Sequence, residues 1–242
     1  MHRFFIPAEL FHPTDIILPK DISQQICRVL RLKPGTEIML LDDQGFEYTS
    51  RLSEVSESHC TASVITKQAS SNEADTKITL LIALTQREKF ELILQKCTEL
   101  GVTTFLPIIT TRTLIQKTSD ADDKTPRWKK IITEAAEQSH RGRIPTLSPA
   151  LKYADALKKP KADDSLKLIL WEEEANHSIK QHLRDFKGKH ISLIIGPEGG
   201  LSEEEVELAK ASGYIPVSLG KRILRMETAA IYAAGVVLYE LG

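Results

Sequence analysis

The sequence predicts an α/β protein: a mostly parallel sheet built from alternating strands and helices, preceded by a small β domain. Three observations carry this. From residue 77 onward, short apolar runs alternate with segments of helical periodicity, the pattern of β-α units. The first 70 residues are strand-rich instead, with one helical interruption. Between them runs Gln68-Ala69-Ser70-Ser71-Asn72-Glu73-Ala74-Asp75-Thr76, a polar stretch without apolar periodicity. The expected organisation is therefore a β domain over 1–70, a linker over 71–76 and an α/β domain over 77–242.

In the first part, Glu37 to Leu41 reads as a strand, Asp42-Asp43-Gln44-Gly45 as a turn, and Phe46 to Val55 as its alternating partner. His59 to Thr66 is a further strand. The interrupting helix takes Asp21 as its cap and Ile22, Ile26, Val29 and Leu30 as its inward face. In the second part, Ile78 to Leu84 is a near-continuous apolar run, as in a strand covered on both faces. A helix over Arg87 to Leu100 presents Phe90, Ile93, Leu94, Cys97 and Leu100 at helical spacing, and Gly101 closes it. Strands are expected at Thr104 to Ile109, Leu166 to Trp171, His190 to Ile195 and Ile215 to Leu219. Helices are expected near Arg127 to Ser139, Glu203 to Ser212 and Glu227 to Leu241, with Ser202 and Glu205 as a capping box. Asp120 to Lys124 reads as an exposed loop.

Composition narrows the class. Hydrophobic residues make up 41% and charged residues 27% of the 242 residues, as in ordinary globular proteins that bury a sizeable core. Cys27, Cys60 and Cys97 are odd in number, far apart and form no CxxC pair, which points to a reducing compartment and gives no metal signature. Met1 to Pro7 is too short for a secretory apolar region, and no run approaches membrane length. A cytoplasmic location is the expectation. The net charge is −1, yet Lys124, Arg127, Lys129, Lys130, Arg141 and Arg143 cluster, as do Lys221, Arg222 and Arg225. Such patches suit either phosphate contacts or solvated helix faces.

Open α/β sheets bind ligands beyond the carboxyl ends of their strands. Three strand ends carry unusual chemistry. Ile194-Ile195-Gly196-Pro197-Glu198-Gly199-Gly200 leads from an apolar strand into three glycines and a capped helix. It is neither a dinucleotide fingerprint nor a phosphate loop, and its carboxylates (Glu198, then Glu203 to Glu205) disfavour a pyrophosphate. A tight structural turn is the alternative reading. Ser218-Leu219-Gly220-Lys221-Arg222-Ile223-Leu224-Arg225 ends a strand in a basic loop before a helix start, whose free N–H groups and arginines suit an anion. Leu168-Ile169-Leu170-Trp171-Glu172-Glu173-Glu174 ends in three carboxylates, fit either for ribose hydroxyls or for plain solvation. His177 and His182 lack metal-helix spacing, and Cys97 lies on an apolar helix face. His140 sits among basic residues, where it is able to touch RNA.

As an ordered set, these segments resemble the RsmE family, the ribosomal RNA small subunit methyltransferase E group of the SPOUT superfamily. The resemblance runs through nearly the whole chain. Besides the two loops, it rests on Met1-His2-Arg3-Phe4-Phe5, Val29-Leu30-Arg31-Leu32 with Gly35, Glu88-Lys89, Gln95 to Val102, Arg127-Trp128 and Glu134-Ala135-Ala136-Glu137-Gln138-Ser139. One departure is Gln24-Gln25-Ile26-Cys27-Arg28, a segment in which many relatives carry His. The resemblance implies a SPOUT-type α/β domain with a C-terminal deep trefoil knot, a PUA-like RNA-binding β barrel before it, and a homodimer through the knotted domain. It implies S-adenosyl-L-methionine as cofactor and N3-methylation of one uridine in the decoding region of 16S rRNA. The substrate is then small-subunit ribosomal RNA or the ribosomal particle.

The residue chemistry agrees with that reading. The cofactor carries a sulfonium cation and no phosphate, so an acidic glycine loop is compatible with it. Uridine N3 needs only to lose its imide proton and to line up with the methyl group, so no cysteine nucleophile is required. The cofactor residues expected are Leu170, Trp171 and Glu172; Ile195, Gly196, Pro197, Glu198, Gly199 and Gly200; and Leu219, Gly220, Ile223, Leu224, Arg225, Thr228 and Ala229. Val at Gly199 or Gly220 is expected to weaken cofactor binding. Arg225 is the expected catalytic residue, stabilising the uridine anion. Arg3, Arg31, Arg127, Arg141 and Arg143 are the expected RNA contacts, with Arg31 and Arg141 preferred. The competing readings are a methyltransferase for another RNA position such as a tRNA ribose, a non-catalytic RNA-binding protein, and a nucleotide-binding enzyme.

Overall fold

The computed structural model describes residues 1–11, 15–159, 165–174 and 177–242. It divides into two compact units, one of residues 1–73 with 136–144, the other of residues 74–135 with 145–242.

The first unit is a five-stranded sheet in the order β1-β3-β4-β5-β2, formed by β1 (Arg3–Phe5), β2 (Asp15–Ile17), β3 (Glu37–Leu41), β4 (Phe46–Val55) and β5 (Cys60–Ala69). A short helix, α1 (Lys20–Gln24), continues as a π turn over Gln25–Val29. Strand β3 carries the run Ile38-Met39-Leu40-Leu41 because both of its faces are covered. Ile38 and Leu40 join Phe4, Ile16, Ile26 and Leu52 in one core cluster. Met39 and Leu41 join Phe5, Ala136 and Ile144 in another. The β3–β4 turn closes as its residues demand: Asp42 Oδ1 accepts from the N–H groups of Gln44 (2.8 Å) and Phe46 (3.0 Å), while Asp43 and Gly45 take positive φ. Register shifts at Thr49/Ser50 and Leu52/Glu54 bend β4 and curl the sheet.

Three expectations fail here. Strands β1 and β2 were not foreseen; each is only three residues long, too short for a period to show. Asp21 does not cap the helix, which starts after Pro19 without a side-chain cap. Val29 is 73% exposed rather than inward, because the wider π turn rotates it off the face that buries Ile22 and Ile26.

The second unit is a seven-stranded, all-parallel sheet. Its elements are β6 (Lys77–Ala83), α2 (Arg87–Leu100), β7 (Thr104–Ile109), α3 (Ser119–Asp122), α4 (Thr125–Gln138), β8 (Thr146–Leu147), β9 (Leu151–Lys152), α5 (Tyr153–Lys158), β10 (Ser165–Leu170), α6 (Ile179–Asp185), β11 (His190–Ile195), α7 (Glu203–Ala211), β12 (Ile215–Val217) and α8 (Met226–Leu241). The last residues of α4 pack in the first unit. The strand order is β12-β10-β11-β6-β7-β8, with β9 also on β7. The apolar runs of β6 and β11 fill the middle of the sheet: Ile78, Leu80, Leu81, Ile82, Leu193 and Ile194 are buried completely. Helix α2 has the expected bounds, and Gly101 ends it at φ +117°. Cys97 is wholly buried, and burial pushes its thiol far above the usual range, as suits a core residue rather than a nucleophile. Helix α8 packs on α2, α6 and β11, and Thr76 Oγ1 donates to the Leu241 carbonyl at 2.7 Å. The loop expected at Asp120 to Lys124 is instead largely helix α3, which buries Ala121.

Glu91 of α2 accepts from both Arg87 and Arg127, the latter through Nη2 at 2.7 Å. The hydrogen bond from Arg127 holds the Glu91 carboxyl down to about 2 despite the cost of burial. A carboxyl depressed in the folded state stabilises the fold fully above the ordinary carboxylate range, near ~4.3, and that contribution fades as pH falls through the folded value. Glu91→Gln should therefore lower the thermal midpoint at pH 7. The gap from wild type should close between pH 4 and pH 2, since the folded value is about 2. Melting curves across pH check this; a gap that persists in acid refutes it.

Candidate functional site

The parallel register brings three strand ends level. Leu170 of β10 pairs with Ile195 of β11 on one side and Val217 of β12 on the other. The loops that follow, beginning at Trp171, Gly196 and Ser218, therefore lie side by side at the carboxyl edge, where open α/β sheets hold ligands. They enclose a cavity of about 450 Å³. Small-molecule sites span ~300–1,000 Å³.

Every one of the sixteen expected cofactor residues lines this cavity except Gly199 and Thr228. The turn closed by Gly200 N–H on the Pro197 carbonyl (2.9 Å) carries Gly199 outside, where its carbonyl accepts from Arg112 Nη1 at 2.7 Å. Thr228 is exposed on the first turn of α8. A Cβ on Gly199 would meet only the Arg112 stem, at 3.5 Å, which is ordinary contact. The demanding glycine is Gly200. Its φ is +72°, and a Cβ there would overlap the Glu172 carboxylate. The cavity also takes in Lys221, Arg222, Met226 and Glu227 from the third expected segment, Leu219 to Thr228, together with Ser218 just before it and with Lys89, Leu201 and Val217. Lys89 had no local signal, because α2 follows a strand two places away from β10 in the sheet.

The carboxylates around the glycine loop are not equivalent. Burial acts to raise Glu198, but hydrogen bonds from Lys89 (2.8 Å) and Thr85 outweigh it and hold the carboxyl below its usual range. Glu205 turns inward: it completes the Ser202 capping box and also accepts from the Thr111 N–H at 2.8 Å. Glu204 is held low by the Ser202 hydroxyl. Glu172 stands beside Gly200. Glu227 differs from these, because its Oε2 is shut off from solvent and has no hydrogen-bond partner among the described residues. Arg225 is the N-cap residue of α8, with extended backbone and an exposed side chain that makes no cap bond.

The arginines expected to meet RNA divide sharply. Arg3 is buried against Glu47 (2.7 Å), and Arg141, whose side chain is 4% exposed, forks onto Glu73 at 2.8 and 3.2 Å. A buried guanidinium satisfied by a carboxylate serves the fold, so the preference for Arg141 as a phosphate contact is corrected. Arg127 is committed to Glu91. Arg143 is exposed and donates to the Gln44 carbonyl at 2.6 Å. Arg31 is exposed, at φ +52°, with no side-chain partner among the described residues. His140 takes φ +62°, and its carbonyl accepts from Asn72.

The comparisons with known proteins agree with this geometry. Residues 72–238 match the family model described as RNA methyltransferase domain, and residues 22–65 the one described as RNA methyltransferase PUA domain. The ribosomal RNA small subunit methyltransferase E of Synechocystis sp. is 38% identical, over 96% of this chain and 75% of that protein. Among solved structures, the ribosomal RNA small subunit methyltransferase E of Neisseria gonorrhoeae bound to S-adenosyl methionine is 33% identical, with a TM-score of 0.90 over 99% of this chain and 97% of that one. A methyltransferase from Legionella pneumophila in complex with its bound cofactor SAM is 32% identical, with a TM-score of 0.89 over 98% and 96%. A two-unit chain with this sheet, this cavity and relatives alike over nearly its whole length belongs to the ribosomal RNA small subunit methyltransferase E family.

Proposed function

We propose that this chain transfers the methyl group of S-adenosyl-L-methionine to N3 of one uridine in the decoding region of 16S rRNA. The observation that carries the reading is the cavity at the ends of β10, β11 and β12. It has the volume of a small-molecule site, a glycine loop that lets backbone approach a ligand, and a lining that mixes the carboxylates of Glu172, Glu198 and Glu227 with Lys89, Lys221, Arg222 and Arg225. The residues present fit this cofactor. Glu172, at the cavity wall, would accept from the ribose hydroxyls. When bound, the cofactor supplies an electrophilic methyl carbon. The chain's part is to orient the base, exclude water and stabilise the imide anion, for which the exposed guanidinium of Arg225 is placed at the cavity wall.

Mass spectrometry of small-subunit rRNA nucleosides from a deletion strain tests the reading. Loss of 3-methyluridine, restored by the gene, is the expected result; an unchanged nucleoside profile refutes it. Calorimetry separates the rival classes: S-adenosylhomocysteine should bind and ATP should not.

The PUA-matched unit is assigned to the rRNA, with Arg31 and Arg143 as its phosphate contacts. Arg31→Ala should weaken rRNA binding about evenly across sequences and reduce the salt slope by about one unit. Wild-type affinity and slope in that variant would return Arg31 to the solvated surface. We also assign a trefoil knot to the C-terminal part of the α/β unit and a homodimer to the same part. The exposed Tyr232 (49%) and Tyr239 (89%), two helical turns apart on α8, supply an apolar face for a second copy. Among the described residues no helix is long and apolar enough to cross a membrane. The cytoplasm, where the rRNA is, is the assigned compartment.

A further inference from the structure

Three carboxylates line the cavity, and two of them already have tasks. Glu198 is held by Lys89 and Thr85 and anchors the glycine loop. Glu172 stands against Gly200 at the cofactor end. Glu227, on the first turn of α8, is left over. Its Oε2 is buried and has no hydrogen-bond donor among the described residues. A buried acceptor left unpaired loses its solvation without recompense, and native folds rarely tolerate it without a reason. Rotation of the carboxylate about χ3 is soft, so either oxygen can be turned toward the cavity that Glu227 lines. The charged groups sharing that cavity are Lys89, Glu172, Glu198, Lys221, Arg222 and Arg225.

We propose that Glu227 is the general base that accepts the N3 proton of the target uridine. The inference rests on the uridine-N3 reading above. The pairing edge of uridine presents one N–H donor between two carbonyl acceptors. The first turn of α8 offers the complementary set, an acceptor from Glu227 and guanidinium donors from Arg225, two residues apart at the same cavity. In the step, the N3–H bond breaks and its proton passes to a Glu227 carboxylate oxygen. The N3 electron pair forms the bond to the methyl carbon, while the carbon–sulfur bond breaks and its pair neutralises the sulfonium. The products are 3-methyluridine and S-adenosylhomocysteine, and the proton on Glu227 then leaves to solvent. Every atom and charge is accounted for without a further reactant.

The test is single-turnover methylation of rRNA by wild type, Glu227→Gln and Glu227→Asp at saturating cofactor, from pH 6 to pH 10. General-base catalysis contributes about 100- to 10,000-fold, so Glu227→Gln should lose a rate of that order near pH 7. Its rate should then climb about tenfold per pH unit, because the imide ionises in solvent when the enzyme no longer takes the proton. Glu227→Asp should keep more of the rate than Gln. Both variants should bind S-adenosylhomocysteine as wild type does, which also shows that they fold. A Gln variant within a few-fold of wild type, or one that loses cofactor affinity, or one whose slower rate follows the wild-type pH profile, overturns the proposal. Product analysis of the wild-type reaction is a separate arm. Methyl found elsewhere than N3 refutes the underlying reading and the base with it, whereas N3 product alongside an indifferent Gln variant refutes the base alone.

Discussion

Replacing Arg225 with Ala should lower the methyl-transfer rate about 100- to 1,000-fold while leaving S-adenosylhomocysteine affinity near wild type, the usual cost of losing a preorganised stabiliser of developing charge. Arg225 caps α8 with its backbone extended, so its side chain is not spent on the helix. It lines the cavity yet is exposed and has no carboxylate partner among the described residues, unlike Arg3, Arg127 and Arg141. A guanidinium kept free at such a place is available to the uridine anion or to the phosphate beside it. Lys should rescue poorly if the contact is bidentate. Single-turnover kinetics at saturating cofactor measure this. A variant that methylates rRNA within a few-fold of wild type would falsify the role.

Gly200→Val should weaken cofactor binding by at least about tenfold, roughly 1.4 kcal/mol. Two effects combine. A β-branched residue is strongly disfavoured at φ +72°, and its Cβ would overlap the Glu172 carboxylate. Either the loop shifts or Glu172 leaves its place, and both deform the cavity. Gly199→Val is the control: its Cβ meets only the Arg112 stem at 3.5 Å, and it does not line the cavity. Gly220 lies between, because it has open space around it but φ +122°. Affinities for S-adenosylhomocysteine by calorimetry rank the three. Equal affinity for the Gly200 and Gly199 variants refutes the assignment.

What the sequence determined by itself was the local periodicity and the punctuation. Strand Phe46–Val55, helix Arg87–Leu100 and strand His190–Ile195 have the bounds their patterns imply, because each is long enough for a period of 2 or 3.6, or an unbroken apolar run, to stand out. Gly101, the Asp42–Gly45 turn and the Ser202–Glu205 capping box were legible because their chemistry is satisfied within a few residues. The three strand-end loops were legible as a set because β-α alternation implies a parallel sheet with its ligand edge at the carboxyl ends.

Tertiary structure decided what depends on partners distant in the chain. Short elements such as Arg3–Phe5, Tyr153–Lys158 and Ile179–Asp185 exist because of what they pack or pair against, and their own residues carry too little signal. Val29 faces water because a π turn displaced a face that an ideal helix would have kept. Arg141 and Arg31 look alike in sequence. One is neutralised by Glu73, 68 residues away, and the other is exposed with no side-chain partner among the described residues. Likewise Glu198 and Glu227 are both carboxylates near a strand end. Only the fold brings Lys89 and Thr85 to the first and leaves an oxygen of the second without a donor among the described residues. The chemistry of a charged side chain is set by what surrounds it, and those surroundings are assembled from segments that no local pattern connects.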